Sequence, residues 1–170
     1  LGVGANPLET ELATLAVQTS TSTNGGGINV RELTSVSVNT VAAVAVARVA
    51  ADGTPEATAQ TDASGQSDLV SSGNGSIRLV SAAGTITVYD GAGPEDDTGV
   101  RAHGSGEVYL EAQGADSDIV LETDGAVRSS TGTLVLLAAR DIDQKAGAEI
   151  STPDGAGTIL VWALGRDISL

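Results

Sequence analysis

The sequence lacks cysteine, methionine and phenylalanine, and its 170 residues include only one tryptophan and two tyrosines. The absence of cysteine excludes disulfide bonds and cysteine-ligated zinc sites. Any interior must be filled by Val, Ile, Leu and Ala, whereas a wide globular core ordinarily contains aromatic side chains. The composition therefore favours a narrow interior lined by stacked aliphatic side chains.

Basic residues are scarce as well, with eight Lys and Arg against 22 Asp and Glu and a formal net charge of −14. Such an acidic surface repels nucleic acid and anionic membranes, so neither is expected as a partner. No run of about 18 apolar residues is present, and no transmembrane segment is expected. Glycine, by contrast, is abundant at 22 residues without the spacing of collagen, which indicates many tight turns.

A phrase of glycine followed by alternating apolar residues recurs along the chain. Its leading glycines are Gly27, Gly75, Gly106, Gly132 and Gly157. Period-two alternation predicts half-buried strands, and copies of about 25 residues predict an all-β parallel solenoid. We expect roughly seven coils. Because the first interval is nearly twice the last, a hidden coil is expected at 41–49.

Two later copies share the tripeptide Arg-Asp-Ile, at 140–142 and 166–168. We expect the isoleucines to stack inside and the charged residues to form outer ladders, where exposed ion pairs contribute about 0–1 kcal/mol. A two-sheet sandwich is the structural alternative, but its strands normally lack a repeated phrase at fixed spacing. Residues 6–15 fit either a short capping helix or an extended segment, and the strand formers that follow favour the extended form.

The whole chain, residues 1–170, is predicted to be a single solenoid segment. No polar cap is evident at the C-terminal end, although a finished solenoid needs one to protect its open edge. We therefore expect one unit of a tandem array or of a head-to-tail stack of identical or similar units. The residues expected at its open, self-associating ends are Leu1, Val3, Leu8, Leu12, Ile159, Val161, Ile168 and Leu170.

Three phrases resemble the repeats of filamentous-haemagglutinin-like surface proteins: residues 2–10, residues 25–30, and the recurrent Gly-Thr-apolar pattern that leads to Arg-Asp-Ile. The resemblance implies a right-handed parallel β-helix, export to the bacterial surface, and a role in adhesion or biofilm. Implied partners are similar repeat units and a host surface, cell surface or polysaccharide. The alternative function is a carbohydrate-binding or carbohydrate-active β-helix module.

Residues able to carry chemistry are few. His103, the only histidine, lies in a turn-like stretch without a nucleophile elbow and is expected to be an exposed loop residue. Carboxylates two residues apart, such as Asp116 and Asp118, share a strand face, but a sugar cleft usually has more aromatic platforms than this chain can supply. We therefore predict no enzymatic activity, and we expect Trp162 to pack against the neighbouring chain.

The acidic, glycine-containing loop at 90–97 is the candidate cation site. Asp90, Glu95, Asp96 and Asp97 provide carboxylates of the kind that Ca²⁺ prefers. The loop matches neither an EF-hand nor the glycine-rich nonapeptide repeat, so a solvated loop is the alternative. Apart from this calcium candidate, no cofactor is expected.

Overall fold

The computed structural model describes residues 1–2, 5–19, 26–46, 49–54, 60–61, 65–92, 97–155 and 157–170, which contain β-strands and no helix. In chain order the strands are β1 (Leu8–Thr10), β2 (Thr14–Leu15), β3 (Val17–Thr19), β4 (Ile28–Glu32), β5 (Val36–Val38), β6 (Ala45–Val46), β7 (Gln60–Thr61), β8 (Leu69–Ser71), β9 (Ile77–Ser81), β10 (Ile86–Val88), β11 (Val100–Ala102), β12 (Val108–Ala112), β13 (Ile119–Leu121), β14 (Ala126–Ser129), β15 (Leu134–Ala138), β16 (Ile142–Gln144), β17 (Glu149–Ser151), β18 (Ile159–Ala163) and β19 (Ile168–Ser169). The extended interpretation of residues 6–15 is confirmed by β1 and β2.

Three parallel sheets run side by side along the molecule. Sheet 1 is β1-β4-β9-β12-β15-β18, sheet 2 is β2-β5-β10-β13-β16-β19, and sheet 3 is β3-β8-β11-β14-β17. The chain visits the three sheets in turn, which confirms an all-β parallel architecture consistent with a solenoid and unlike the antiparallel sandwich. The described strands make five turns through all three sheets and a sixth through two, so they do not confirm the count of about seven.

The interior consists of aliphatic columns in register. In sheet 1 the column joins Val30, Leu79, Leu110, Leu136 and Val161. In sheet 2 it joins Val36, Ile86, Ile119, Ile142 and Ile168. The two isoleucines of the Arg-Asp-Ile phrases therefore stack as predicted. Fully burying one such side chain contributes about 1.5–3 kcal/mol, so the columns supply most of the stability of the turns.

The corner before sheet 1 carries a column of glycines. Its members, in register, are Gly26, Gly75, Gly106, Gly132 and Gly157. A Cβ atom on Gly106 would overlap the carbonyl oxygen of Gly75 one turn before it, and the same overlap recurs for Gly132 against Gly106. The repeat phrase begins with glycine because this corner has no room for a side chain. Pairing of Ile28 with Ile77 places Gly26, rather than the expected Gly27, in the column.

Within 41–49 the structure describes residues 41–46 and 49. These do not form a hidden coil, and that prediction was wrong. They lie in an insertion between β5 and β8, where β6 pairs antiparallel with β7 and Val41 bridges Gln66 in the antiparallel sense. After the insertion, β8 pairs with β3 and β11 and completes the same turn. The wide interval between Gly27 and Gly75 thus reflects an inserted hairpin. Apolar alternation describes a hairpin strand as well as a coil strand, so it could not separate the two.

Candidate association surface at the last turn

The last turn, formed by β18 and β19, exposes side chains that are buried at the same positions in earlier turns. Ile159 is in register with the fully buried Leu134, yet it is 43% exposed. Ile168 is likewise 43% exposed, whereas its partner Ile142 is fully buried. Residue type hardly differs within each pair. The difference arises because Leu134 and Ile142 lie between two strands of their sheets, whereas Ile159 and Ile168 have a neighbouring strand on one side only among the described residues. This surface is called the open edge below.

The backbone of β18 and β19 is also arranged to receive another strand. Leu134 N donates to Thr158 O at 2.8 Å, and Ile142 N donates to Asp167 O at 3.1 Å. In a parallel ladder successive residues bond to opposite neighbours, so the N–H and C=O groups of the next residues, Ile159 and Ile168, point to the open side. An added parallel strand would therefore meet both hydrogen-bonding groups and an apolar column.

A ladder of polar side chains runs beside sheet 2 and reaches the open edge. Thr85 N donates to Ser35 Oγ at 3.1 Å, and Asp118 N donates to Thr85 Oγ1 at 3.2 Å. The series continues from Asp141 N to Asp118 Oδ1 at 3.1 Å and from Asp167 N to Asp141 Oδ1 at 3.0 Å. The aspartates of the two Arg-Asp-Ile phrases thus form a ladder through carboxylate-to-backbone bonds, which hold successive corners in register.

Arg140 shows how a cation beside this ladder is held within the solenoid. Its Nε lies 2.7 Å from Asp118 Oδ1 and its Nη2 also binds that carboxylate, with Asp141 at 3.6 Å. The hydrogen bond from Arg140 lowers the pKa of Asp118 below its ordinary value. Arg166 is the register equivalent of Arg140 in the last turn, because Ile168 pairs with Ile142. It is exposed and forms no ion pair within the described ranges.

The outward face of sheet 1 changes from charged to apolar along the molecule. Near the first turns Arg31 lies 3.9 Å from Glu9, and Arg78 lies 5.3 Å from the ring centre of Tyr109. On β18 the outward residues Leu160 and Trp162 are 46% and 55% exposed. Trp162 was expected to pack against the neighbouring chain, but more than half of it faces outward. The alternation of apolar and polar residues cannot predict which side chains of β18 face outward, because every residue of this strand is apolar.

The first turn is the opposite end of the stack. Leu1, Leu8 and Leu12 are exposed there, whereas Val3 lies outside the described residues; their role in self-association stays a prediction. At the other end Leu170 is exposed, and Val161 is half-buried against the core. Two predicted groups of end residues therefore occupy opposite ends of one solenoid.

Glu32 is a buried carboxylate that sequence reasoning missed. Its side chain is fully buried between the first two turns. It accepts hydrogen bonds from Thr10 Oγ1 at 2.6 Å, from Leu12 N at 3.0 Å and from Leu33 N at 3.0 Å. These bonds satisfy a corner whose backbone N–H groups would otherwise be buried without partners. The only sequence signal is its even spacing after Ile28, which places it on the inward face.

The described residues of the acidic loop, 90–92 and 97, lie at the corner between sheets 2 and 3. Of the four calcium candidates the structure describes Asp90 and Asp97, while Glu95 and Asp96 lie outside the described residues. Ala92 N donates to Thr40 Oγ1 at 2.8 Å, which ties the loop to the insertion. In the described part of the chain, no group of three or more His, Asp or Glu side chains is arranged to hold a metal ion. Calcium binding stays a prediction.

The remaining candidates for chemistry lie apart from one another. His103 is partly exposed in the turn between β11 and β12, and its N–H donates to Ser71 O at 2.9 Å. Asp116 and Asp118 both approach Arg140, at 4.0 Å in the case of Asp116, instead of facing each other across a cleft. The groove beside them, about 350 Å³ in volume, is lined by small and polar residues without an aromatic platform.

No family model, no curated protein and no solved structure matches this chain. The resemblance to filamentous-haemagglutinin-like repeats therefore stays a prediction that rests on the sequence phrases. Among the described residues no helix is long and apolar enough to cross a membrane.

Proposed function

We propose that this chain is a structural or adhesive repeat unit of an extracellular bacterial fibre or giant surface adhesin, and that units associate end to end through their open β-solenoid edges. The observation that carries the proposal is the exposure of Ile159 and Ile168 in columns that are fully buried one turn earlier. Natural sheets usually protect such edges with charges, proline or a covering segment. The β18 sequence, Ile-Leu-Val-Trp-Ala, carries neither a charge nor a proline.

Burial of these columns supplies the driving force for association. Covering an Ile or Leu side chain completely contributes about 1.5–3 kcal/mol, and several partly exposed side chains would be covered at once. The net charge of −14 opposes association through repulsion between copies. Salt screens that repulsion, so association is expected to strengthen as ionic strength rises.

Export to the bacterial surface, adhesion and right-handed coiling are proposed on the resemblance of the three sequence phrases alone. The solenoid architecture supports this assignment only in general terms, because one fold serves many functions. The end-to-end association, by contrast, depends on identified side chains of β18 and β19, and substitution of those side chains tests it.

Two neighbouring residues of β18 provide a matched test. Ile159 and Leu160 are 43% and 46% exposed, but Ile159 belongs to the inward column and Leu160 to the outward face. Sedimentation equilibrium over a concentration series should show Ile159→Lys largely monomeric, because a charge would be buried in the junction. Leu160→Lys, with the same change of charge, should associate like the wild type. A monomeric wild type at the highest concentration, or equal loss in both variants, would contradict the proposal.

A carbohydrate-binding module is the second candidate, and the exposed Trp162 is the observation that favours it. An indole ring on a flat face can stack on a pyranose, and the Tyr109 hydroxyl and Glu111 lie on the same face, 2.9 Å apart. In titration calorimetry with soluble polysaccharides, Trp162→Ala should abolish binding, while Tyr89→Ala, which alters another exposed aromatic residue, should retain it. Absence of binding by the wild type would remove this candidate.

A further inference from the structure

The register of sheet 2 relates two charged residues at opposite ends of the molecule. Ser37 pairs with Thr14, so the column of Val36 continues to Ala13 in the first turn. At the other end the same column finishes at Ile168. Glu11 and Arg166 each lie two residues before their column member. If a second copy continued the columns, these two residues would lie opposite each other across one strand spacing, about 4.8 Å.

Arg140 shows that an arginine side chain at this position spans one strand spacing, although its own partner, Asp118, lies in the preceding turn and Glu11 of a second copy would lie in the following turn. Arg140 binds Asp118 through two nitrogen atoms. Arg166 occupies the equivalent position without an ion-pair partner in the part of the chain that is described. Glu11 is exposed in the first turn, where residues 8–19 include two glutamates and no basic residue. Glu11 and Arg166 therefore carry opposite charges at the two ends, although Arg166 is followed directly by Asp167.

Resting on the proposed function, we infer that the occupant of the open edge is the first turn of a second copy, with Arg166 of one copy opposite Glu11 of the next. The apolar column of sheet 1 agrees with this register. Leu8 pairs with Val30 at the start of that column and Val161 ends it, so Val161 of one copy would contact Leu8 of the next. The aspartate ladder does not continue across the junction, because Leu12 N already donates to Glu32 Oε1 at 3.0 Å. The charge pair therefore fixes the polarity of the stack, and the association is head to tail and open-ended.

Disulfide trapping tests this contact directly, since the chain contains no cysteine. Glu11→Cys and Arg166→Cys are prepared as separate full-length proteins, mixed and mildly oxidised. A strand spacing of about 4.8 Å lies within the Cα separation that a disulfide spans, so a heterodimer is expected as the main product. Arg78→Cys, exposed in the middle of the solenoid, replaces Arg166→Cys in the control mixture. Equal yields in both mixtures, or a predominance of homodimers, would overturn the inference.

A charge swap separates this inference from the proposed function. At low salt, Arg166→Glu and Glu11→Arg should each weaken association about fivefold more than the same charge reversals at Arg78 and Glu107. The double variant R166E/E11R should recover the wild-type association. If the wild type associates but the double variant associates as weakly as the single variants, the Arg166–Glu11 contact is contradicted and the proposed function is not. If the wild type never associates, both the proposed function and the Arg166–Glu11 contact are contradicted.

Discussion

β15 and β18 occupy neighbouring places in sheet 1 and are both wholly apolar, Leu-Val-Leu-Leu-Ala and Ile-Leu-Val-Trp-Ala, yet they differ in burial. The inward residues of β15 are fully buried between two strands, whereas Ile159 at the equivalent place in β18 is 43% exposed. The inward side chains of a strand in this fold are therefore fully buried only when a neighbouring strand lies on each side. Each turn depends on the turn that covers it.

Truncation of the interior column should have the largest effect on stability. Leu136 is fully buried in β15, and Val161 is the next member of its column in β18. Leu136→Ala should lower the free energy of unfolding by about 3–5 kcal/mol, because the cavity is enclosed by neighbouring strands. Val161→Ala should cost about 1 kcal/mol in the monomer. Urea denaturation at low protein concentration measures both values, and equal losses would show that the last turn is as well packed as the interior.

Substitutions in the glycine column should also destabilise an interior turn more than the last turn, but by a smaller amount. In Gly132→Ala the added Cβ would overlap the carbonyl oxygen of Gly106, and turns on both sides resist adjustment. We expect a loss of about 2–3 kcal/mol. In Gly157→Ala the last turn can move away from Gly132 at a cost of about 1 kcal/mol. Thermal unfolding followed by circular dichroism distinguishes them, and a reversed order would contradict the assigned register.

The smallest expected effect on stability is that of removing the ion pair between Arg140 and Asp118. Arg140 lowers the pKa of Asp118 when the chain is folded. The pair therefore stabilises fully above the unfolded pKa of about 3.9, and the contribution disappears as pH falls through the lower, folded value. Arg140→Met should lower the free energy of unfolding near neutral pH and should have almost no effect once the pH is below the folded pKa of Asp118. Arg166→Met is the matched control in the last turn, and its effect on monomer stability should not follow this pH dependence.

The repeated elements could be predicted from sequence because they depend on neighbours close along the chain. Alternation identified the strands, and the Arg-Asp-Ile phrase identified the stacked Ile142 and Ile168. The insertion after β5 could not be recognised, since the pairing of β6 with β7 depends on which strands meet in space. Which strands pair depends on residues far apart in the sequence, and the local alternation of apolar and polar residues does not determine it.

The association surface was predictable only in part. Ile159 and Ile168 were expected at an open end, and both are 43% exposed. The outward position of Trp162 depends on strand register, and a shift of one residue would have turned it inward. The burial of Glu32 depends on donors from two different turns, which no single repeat phrase contains.

Electron microscopy of the wild-type chain at high concentration and moderate salt would show whether copies associate end to end. We expect unbranched rods with strand layers spaced about 4.8 Å apart along the axis. Six turns per copy should give a subunit repeat of about 29 Å. Separate globular particles at every concentration and salt level would contradict end-to-end association through the open edge.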